Sequence, residues 1–393
     1  MESIKKRVNE LEDELIRLRR DFHKHPELGY QETRTSKIVA DYLTDLGLEV
    51  SNVAKTGVVG LLRGKKPGKT VMLRADLDAI PQNEEVDVEY KSVNPGVMHA
   101  CGHDGHTSML MIAAKILSEY KDEINGNIKF VFQPNEEEAG ALDMIREGVL
   151  ENPKVDAGFG IHLWTPIESG MVGLAEGPVM GAMEEFELTI TGKPGHTGSP
   201  HTAIDPIIAA TNIVQSLQTL QTRETDPLSP VAIMVGKFHG GTGRNIIAQK
   251  VEIGGTIRFL FKDEENEKLK LLSSFERLIR GICEAMRVEY SIRFIPSNPA
   301  LQNSKKLLAG VRKAAVETYG REDIFVEHRN MAGEDFAEFS KRVPCMFYFI
   351  GNGNPSKGTQ YPHHHPLFQL DEDTLKYGVE MHVRSALEYL AQE

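Results

Sequence analysis

A chain of 393 residues, 40% of them hydrophobic, is long enough to form two packed domains and to bury a large core. With 45 basic and 57 acidic side chains the formal net charge is -12, which excludes a nucleic-acid groove or an anionic membrane surface as the natural partner. Cys101, Cys283 and Cys345 are odd in number and far apart, so they imply no disulfide framework and fit a reducing compartment.

The N-terminal stretch MESIKKRVNELEDELIRLRR is charged throughout, unlike a secretory leader, and no run has the length of a membrane span. A soluble, cytoplasmic protein is expected. Ile4, Val8, Leu11, Leu15 and Leu18 recur at helical spacing and predict a helix over 3–24, stopped by Pro26 and Gly29. His23 and His25 have no ligand-type neighbours in sequence and are read as structural. A helix over 33–46 follows, then strands over 48–53, 57–63 and 70–75. The last strand delivers Asp76 and Asp78 to the place where open α/β sheets keep their ligands. These two carboxylates are expected behind metal-bound histidines, fixing their tautomers.

The stretch Met98–Thr107 packs one thiol, three imidazoles and a carboxylate into ten residues, a density that points to a metal. Cys101 and His103 are two apart and share one face of an extended segment. Helical texture starts at Thr107, which places the cluster in a loop feeding a helix N-terminus, a position that favours the thiolate. An apolar strand, Ile128–Phe132, then runs into Glu136, Glu137 and Glu138. One of these glutamates can bind metal while its neighbour takes a proton. A further strand over 157–161 ends in His162, the third strand to end in a ligand-type residue.

From residue 183 the texture changes to strand 185–191, helix 204–220, strands 230–238 and 245–260, helix 264–286 and strand 288–295. That βαββαβ order predicts a self-contained ferredoxin-like domain over 183–295, inserted into a discontinuous first domain over 1–182 and 296–393. The first domain resumes with a helix over 304–319, Gly333-Glu334-Asp335-Phe336, a strand over 346–350, His363-His364-His365 and a closing helix over 371–391.

The segments MHACGHDGH, QPNEEE, GIHLW, GKPGHTGSPH, GGTGRN, GTIR, AGEDFA and YPHHHP occur in this order over essentially the whole chain. Together they resemble the dinuclear metallo-amidohydrolases and peptidases that include aminoacylases, hippurate hydrolases and hydrolases of auxin-amino-acid conjugates. The resemblance implies an α/β fold: a metallopeptidase-like catalytic domain with a mixed sheet flanked by helices, plus an inserted ferredoxin-like lid and dimerisation domain. It implies that Cys101, His103, Glu137, His162 and His364 bind two divalent ions, with Cys101 bridging. Zn or Mn is expected, and Co or Ni is compatible with the same donors. Glu136 would be the general base. His196 or His201 would hold the carbonyl oxygen in a neighbouring active site, and Asn245 and Arg258 would contact substrate, Arg258 through its carboxylate. A homodimer or homotetramer through the lid is implied. The sequence departs from relatives at Asn135, at Ala139-Gly140 and at Ala248, and Asp76-Leu77-Asp78 stands where a His-x-Asp pair is usual, with Cys101 and His103 supplying the replacement.

The expected reaction is hydrolysis of the amide bond of N-acyl amino acids. Water attacks the carbonyl, Glu136 takes its proton and returns it to the leaving amine, and His196 steadies the oxyanion. Alternatives are a dipeptidase or carboxypeptidase action on short peptides, Cys101 as a covalent nucleophile with His103 as base, or a non-catalytic metal or amino-acid binding module.

Overall fold

The computed structural model describes residues 2–392, which divide into two compact units. One comprises the chain up to Val179, Leu301–Arg329 and the segment from Glu334 onward; the other comprises Met180–Ala300 and Asn330–Gly333.

The first unit opens with α1 (Glu2–Glu10), α2 (Glu12–Lys24) and α3 (Thr33–Asp45), then β1 (Glu49–Val53), β2 (Gly57–Arg63) and β3 (Lys66–Asp76). The helix expected over 3–24 is therefore two, interrupted at Leu11, whose amide bonds back only three residues to the Val8 carbonyl at 3.1 Å. The apolar stripe survives the break, with Ile4, Val8, Leu11 and Leu15 all buried. Next come α4 (His103–Glu119), β4 (Asn125–Gln133), α5 (Ala141–Arg146), β5 (Ala157–Glu168), β6 (Val172–Gly173) and β7 (Gly177–Met180).

The second unit contains β8 (Ala182–Thr191), β9 (Gly195–His196), α6 (Pro206–Thr219), β10 (Val231–Gly240), β11 (Ile246–Ile247), β12 (Lys250–Phe259), α7 (Glu264–Met286) and β13 (Glu289–Pro296). Its four-stranded sheet has the order β10-β12-β8-β13 with every pair antiparallel, the ferredoxin-like arrangement. Asp205 caps α6 ahead of Pro206, and Asp263 caps α7 ahead of an acidic first turn, so both helices start where the sequence signals predict. Phe186, Ile190, Ile213, Phe275 and Ile279 are among the residues that fill this unit's own core. The strand expected over 245–260 is split, because Ile246-Ile247 leaves the sheet to pair with Gly195-His196.

The chain then completes the first unit with β14 (Leu301–Asn303), α8 (Lys305–Tyr319), β15 (Phe325–Val326), α9 (Ala337–Ser340), β16 (Cys345–Gly353) and α10 (Leu375–Leu390). Its eight-stranded mixed sheet has the order β1-β2-β4-β3-β5-β16-β6-β15. The inner strands β4, β3, β5 and β16 are mutually parallel. They read as near-continuous apolar runs, such as Val71-Met72-Leu73, because a parallel sheet is covered on both faces. Almost every side chain of α4 is buried, and each of its Met, Leu and Ile residues contributes about 1.5–3 kcal/mol by leaving water. From β3 the chain leads to β4 on one side, and from β5 it leads to β16 on the other. The carboxyl ends of β3 and β5 therefore flank a switch point, where open α/β sheets form their crevice.

Candidate metal centre

Three features build the centre at that crevice. Gly102, at φ +89°, turns the chain between Cys101 and His103, a conformation in which a β-carbon is strained. Helix α4 starts at His103 itself and not after Thr107, so Asp104 and His106 belong to its first turn. A β-carbon on Gly105 would lie 2.6 Å from Leu163 Cδ1, so only glycine lets this turn pack so closely on β5. His162 is likewise inside β5 and not at its end. It still reaches the crevice, because pairing with β3 stops at Gly160.

The ring of His103 donates from Nδ1 to the Asp78 carbonyl at 2.9 Å, leaving a buried Nε2 with no hydrogen-bond partner. His162 donates from Nδ1 to the Leu163 carbonyl at 2.8 Å, which leaves Nε2 at 3.6 Å from Cys101 Sγ. His364, held at φ +65°, donates its backbone amide to Ala100 at 2.8 Å and brings Nε2 to 3.1 Å from Glu137 Oε1. Donor atoms of Cys101, His103 and His162 lie within 4.8 Å of one another, as do those of Cys101, Glu137 and His364 and those of His103, Glu136 and Glu137. Cys101, His103 and Glu137 are each common to two of these groups of potential ligands. Of the three consecutive histidines only His364 joins one; His363 stacks on Trp164 at 4.3 Å and His365 on Tyr361 at 4.8 Å.

The two aspartates expected behind the ligands do different things. Asp78 serves the cluster directly: its carbonyl fixes the His103 ring, and its Oδ2 accepts the Glu137 amide at 3.1 Å. Asp76 accepts from His106 Nδ1 at 2.7 Å, and His106 Nε2 accepts the Leu163 amide at 2.9 Å. Both nitrogens of His106 are used, so Asp76 orients a structural imidazole. His23 is also structural, its Nδ1 at 2.8 Å from Asp104 Oδ2, beside Arg19.

Electrostatics correct the expectation of a helix-stabilised thiolate. Burial, then the charges of Glu137, Glu136 and Asp76, push the Cys101 thiol well above its usual range. Burial works against protonated His103, yet Asp76, Asp78 and Glu137 raise it to about 10. Burial, with Glu334, Asp335 and Glu137, likewise raises Glu136 well above the carboxylate range, against the opposing pull of Arg74. Burial alone would raise Glu137, but His364 and His103 hold it below that range. A negative pocket lined by a thiol, two buried imidazoles and two carboxylates, with an unpartnered His103 Nε2 inside it, fits divalent cations of the Zn, Mn, Co or Ni type.

Sequence reasoning gave no role to Arg74, Gln133, Glu334 and Asp335. The Arg74 guanidinium contacts Asp76 at 2.7 Å and Glu334 and Asp335 at 3.0 Å, and carboxylate oxygens of Glu136, Glu334 and Asp335 lie within 4.8 Å of one another. The available signals were a charged residue inside an apolar strand and an adjacent acidic pair in AGEDFA.

In the second unit, β9–β11 pairing brings His196 beside Asn245, whose carbonyl accepts the Thr197 amide at 3.2 Å. Exposed His196 accepts the Gly198 amide on Nδ1 at 2.9 Å, so a neutral ring carries its proton on Nε2, free to donate. His201 lies in a short turn over Pro200–Thr202 and is exposed. Arg258 Nη1 donates to the Met331 carbonyl at 3.0 Å.

Fold and site together define a metal-dependent hydrolase built on a mixed α/β sheet, with its donors gathered at the crevice from the start of α4, from β5 and from the loops after β4 and β16. The chain belongs to peptidase family M20/M25/M40, whose family model matches residues 72–388. It is 40% identical to thermostable carboxypeptidase 2 of Saccharolobus solfataricus, over 99% of this chain and 98% of that one. It is 43% identical to an N-acyl-L-amino acid amidohydrolase of Geobacillus stearothermophilus, over 75% and 79% of the two chains. Among solved structures, the Bacillus subtilis YXEP protein, a dinuclear metal binding peptidase from the M20 family, superposes with a TM-score of 0.85 at 32% identity, covering 97% of this chain and 99% of that one.

Proposed function

We propose that this chain hydrolyses the amide bond of N-acyl amino acids, with Glu136 as general base and with Cys101, His103, Glu137, His162 and His364 as ligands of two divalent ions. What carries this reading is a chain of ligand groups linked through Cys101, His103 and Glu137, with Glu136 adjacent in sequence to Glu137. Bound there, Zn or Mn ions, or Co or Ni on the same donors, would supply Lewis-acid polarisation and a water of lowered pKa. Glu136 takes the proton from the attacking water at its carboxylate and returns it to the leaving nitrogen. His196, as the Nε2–H tautomer, is assigned to donate to the carbonyl oxygen in a neighbouring chain's active site, a contact worth on the order of 3 kcal/mol in the transition state. Asn245 binds substrate, and Arg258 pairs with the free carboxylate of the amino-acid half. The inserted unit, with its boundaries near 183 and 295, is assigned as lid and as the surface on which chains pair into a homodimer or homotetramer.

The carboxypeptidase relatives favour a second substrate class, short peptides cut at the C-terminal residue. Both classes present a carboxylate next to the scissile amide. A panel of N-acetyl and N-benzoyl amino acids, their methyl esters and matched dipeptides tests the reading. Release of free amino acid from the N-acyl acids, lost with chelator and cut about tenfold or more by esterification, is expected. Faster cleavage of dipeptides supports the second class, and indifference to the ester removes Arg258 from its role.

A further inference from the structure

Residues 134–140 carry Glu136 and Glu137 on an unusual turn. Asn135 and Ala139 hold φ of +55° and +68°, a region that side chains with a β-carbon rarely adopt. Such a turn persists only where its surroundings over-determine it. Glu32 Oε1 accepts the Asn135 amide at 2.9 Å, and Asp78 Oδ2 accepts the Glu137 amide at 3.1 Å. Asp335 does more. Its Oδ1 accepts from Gln133 Nε2 at 2.7 Å and from Arg74 Nη2 at 3.0 Å. Its Oδ2 accepts from the same Gln133 amide at 2.8 Å and from the Ala141 backbone amide at 2.8 Å. Gln133 ends β4 and Ala141 begins α5, so one buried carboxylate closes both ends of the turn.

We propose that Asp335 is a positioning residue for the reaction, a clasp that fixes the turn over 134–140 and with it the placement of the Glu136 carboxylate. The assignment rests on Glu136 being the base. Its warrant is geometric: all three groups that Asp335 joins are donors, and the turn's own backbone bonds, the shortest from the Gly140 amide to the Asn135 carbonyl at 2.8 Å, lie inside the span that Asp335 closes. A displacement of about 1 Å at a reacting group costs on the order of a hundredfold in rate, so loosening the clasp acts on turnover before it acts on binding.

The test is Asp335→Asn beside the exchange pair Gln133→Glu/Asp335→Asn. In the single variant the amide NH2 faces Gln133 Nε2 together with either Arg74 Nη2 or the Ala141 amide, donor against donor. In the pair the roles are reversed and the total charge is that of the parent. The carboxylate at position 133 accepts from the amide at position 335 and from Arg74 Nε, which already donates to position 133, while position 335 still accepts from Ala141; Arg74 Nη2 loses its acceptor at position 335 and keeps the one on Glu334 at 3.0 Å, so the recovery is partial. Expected for the single variant is a kcat lower by about a hundredfold with KM within about threefold, unchanged metal content, and faster hydrogen exchange in peptides spanning 134–141. The pair recovers at least tenfold of the lost kcat and slows that exchange. Unchanged kcat and exchange in the single variant, or equal loss in both, would overturn the proposal. The exchange readout does not depend on which residue is the base, so it separates failure of the clasp from failure of the Glu136 assignment. Should Asp335→Asn not fold, Gln133→Met removes one arm only and is expected to lower kcat about tenfold at constant KM; normal kcat there counts against the clasp.

Discussion

Glu136→Gln is expected to retain its metal and lose about 10² to 10⁴-fold in kcat, the range attributed to a positioned acid–base group. The substitution is suited to the site. The Glu136 carboxylate lies within 4.8 Å of carboxylate oxygens of Glu334 and Asp335, so neutralising it relieves crowding among acidic groups. Thermal stability therefore holds or rises while turnover falls. The alternative bases do not offer the same geometry: Glu137 bonds to His364, and His103 is fixed through Nδ1 on Asp78. Near-normal kcat in a metal-loaded Glu136→Gln protein would remove Glu136 from the mechanism.

Cys101→Ala is the second substitution with a large expected effect. Removing a group that only supports a metal ligand costs about 10 to 100-fold in affinity, and deleting a ligand common to both ions costs more. Metal content below one per chain and loss of activity at ordinary metal concentrations are expected. Metal content is the decisive readout, because a covalent cysteine mechanism also predicts lost activity but leaves the metal in place.

Much of the centre was legible from sequence because of where parallel strands end. Asp76 ends β3 and Glu136 follows β4, and a switch point gathers such strand ends without regard to their spacing along the chain; His162 follows an apolar run too, but lies inside β5. The βαββαβ order of the inserted unit was legible for a similar reason, since each helix carries its own cap and β8 alternates buried and more exposed residues along its length. What sequence could not supply came from contacts between distant segments. The partners of Asp335 lie at positions 133, 141 and 74, brought together only by the sheet. The direction of the Cys101 shift follows first from burial and then from carboxylates of other segments, whereas local reasoning has only the helix end to consider. The start of α4 was misplaced because Gly102 resembles a loop residue until its left-handed turn is seen to launch the helix directly.

The central claim is that Cys101 joins two cation sites. The most direct measurement is elemental analysis of metal per chain in protein purified without chelator, repeated after dialysis against chelator and after restoring Zn or Mn. About two ions per chain, lost and regained together with release of free amino acid, is the predicted result. A chain that hydrolyses N-acyl amino acids at full rate with no bound metal would contradict it.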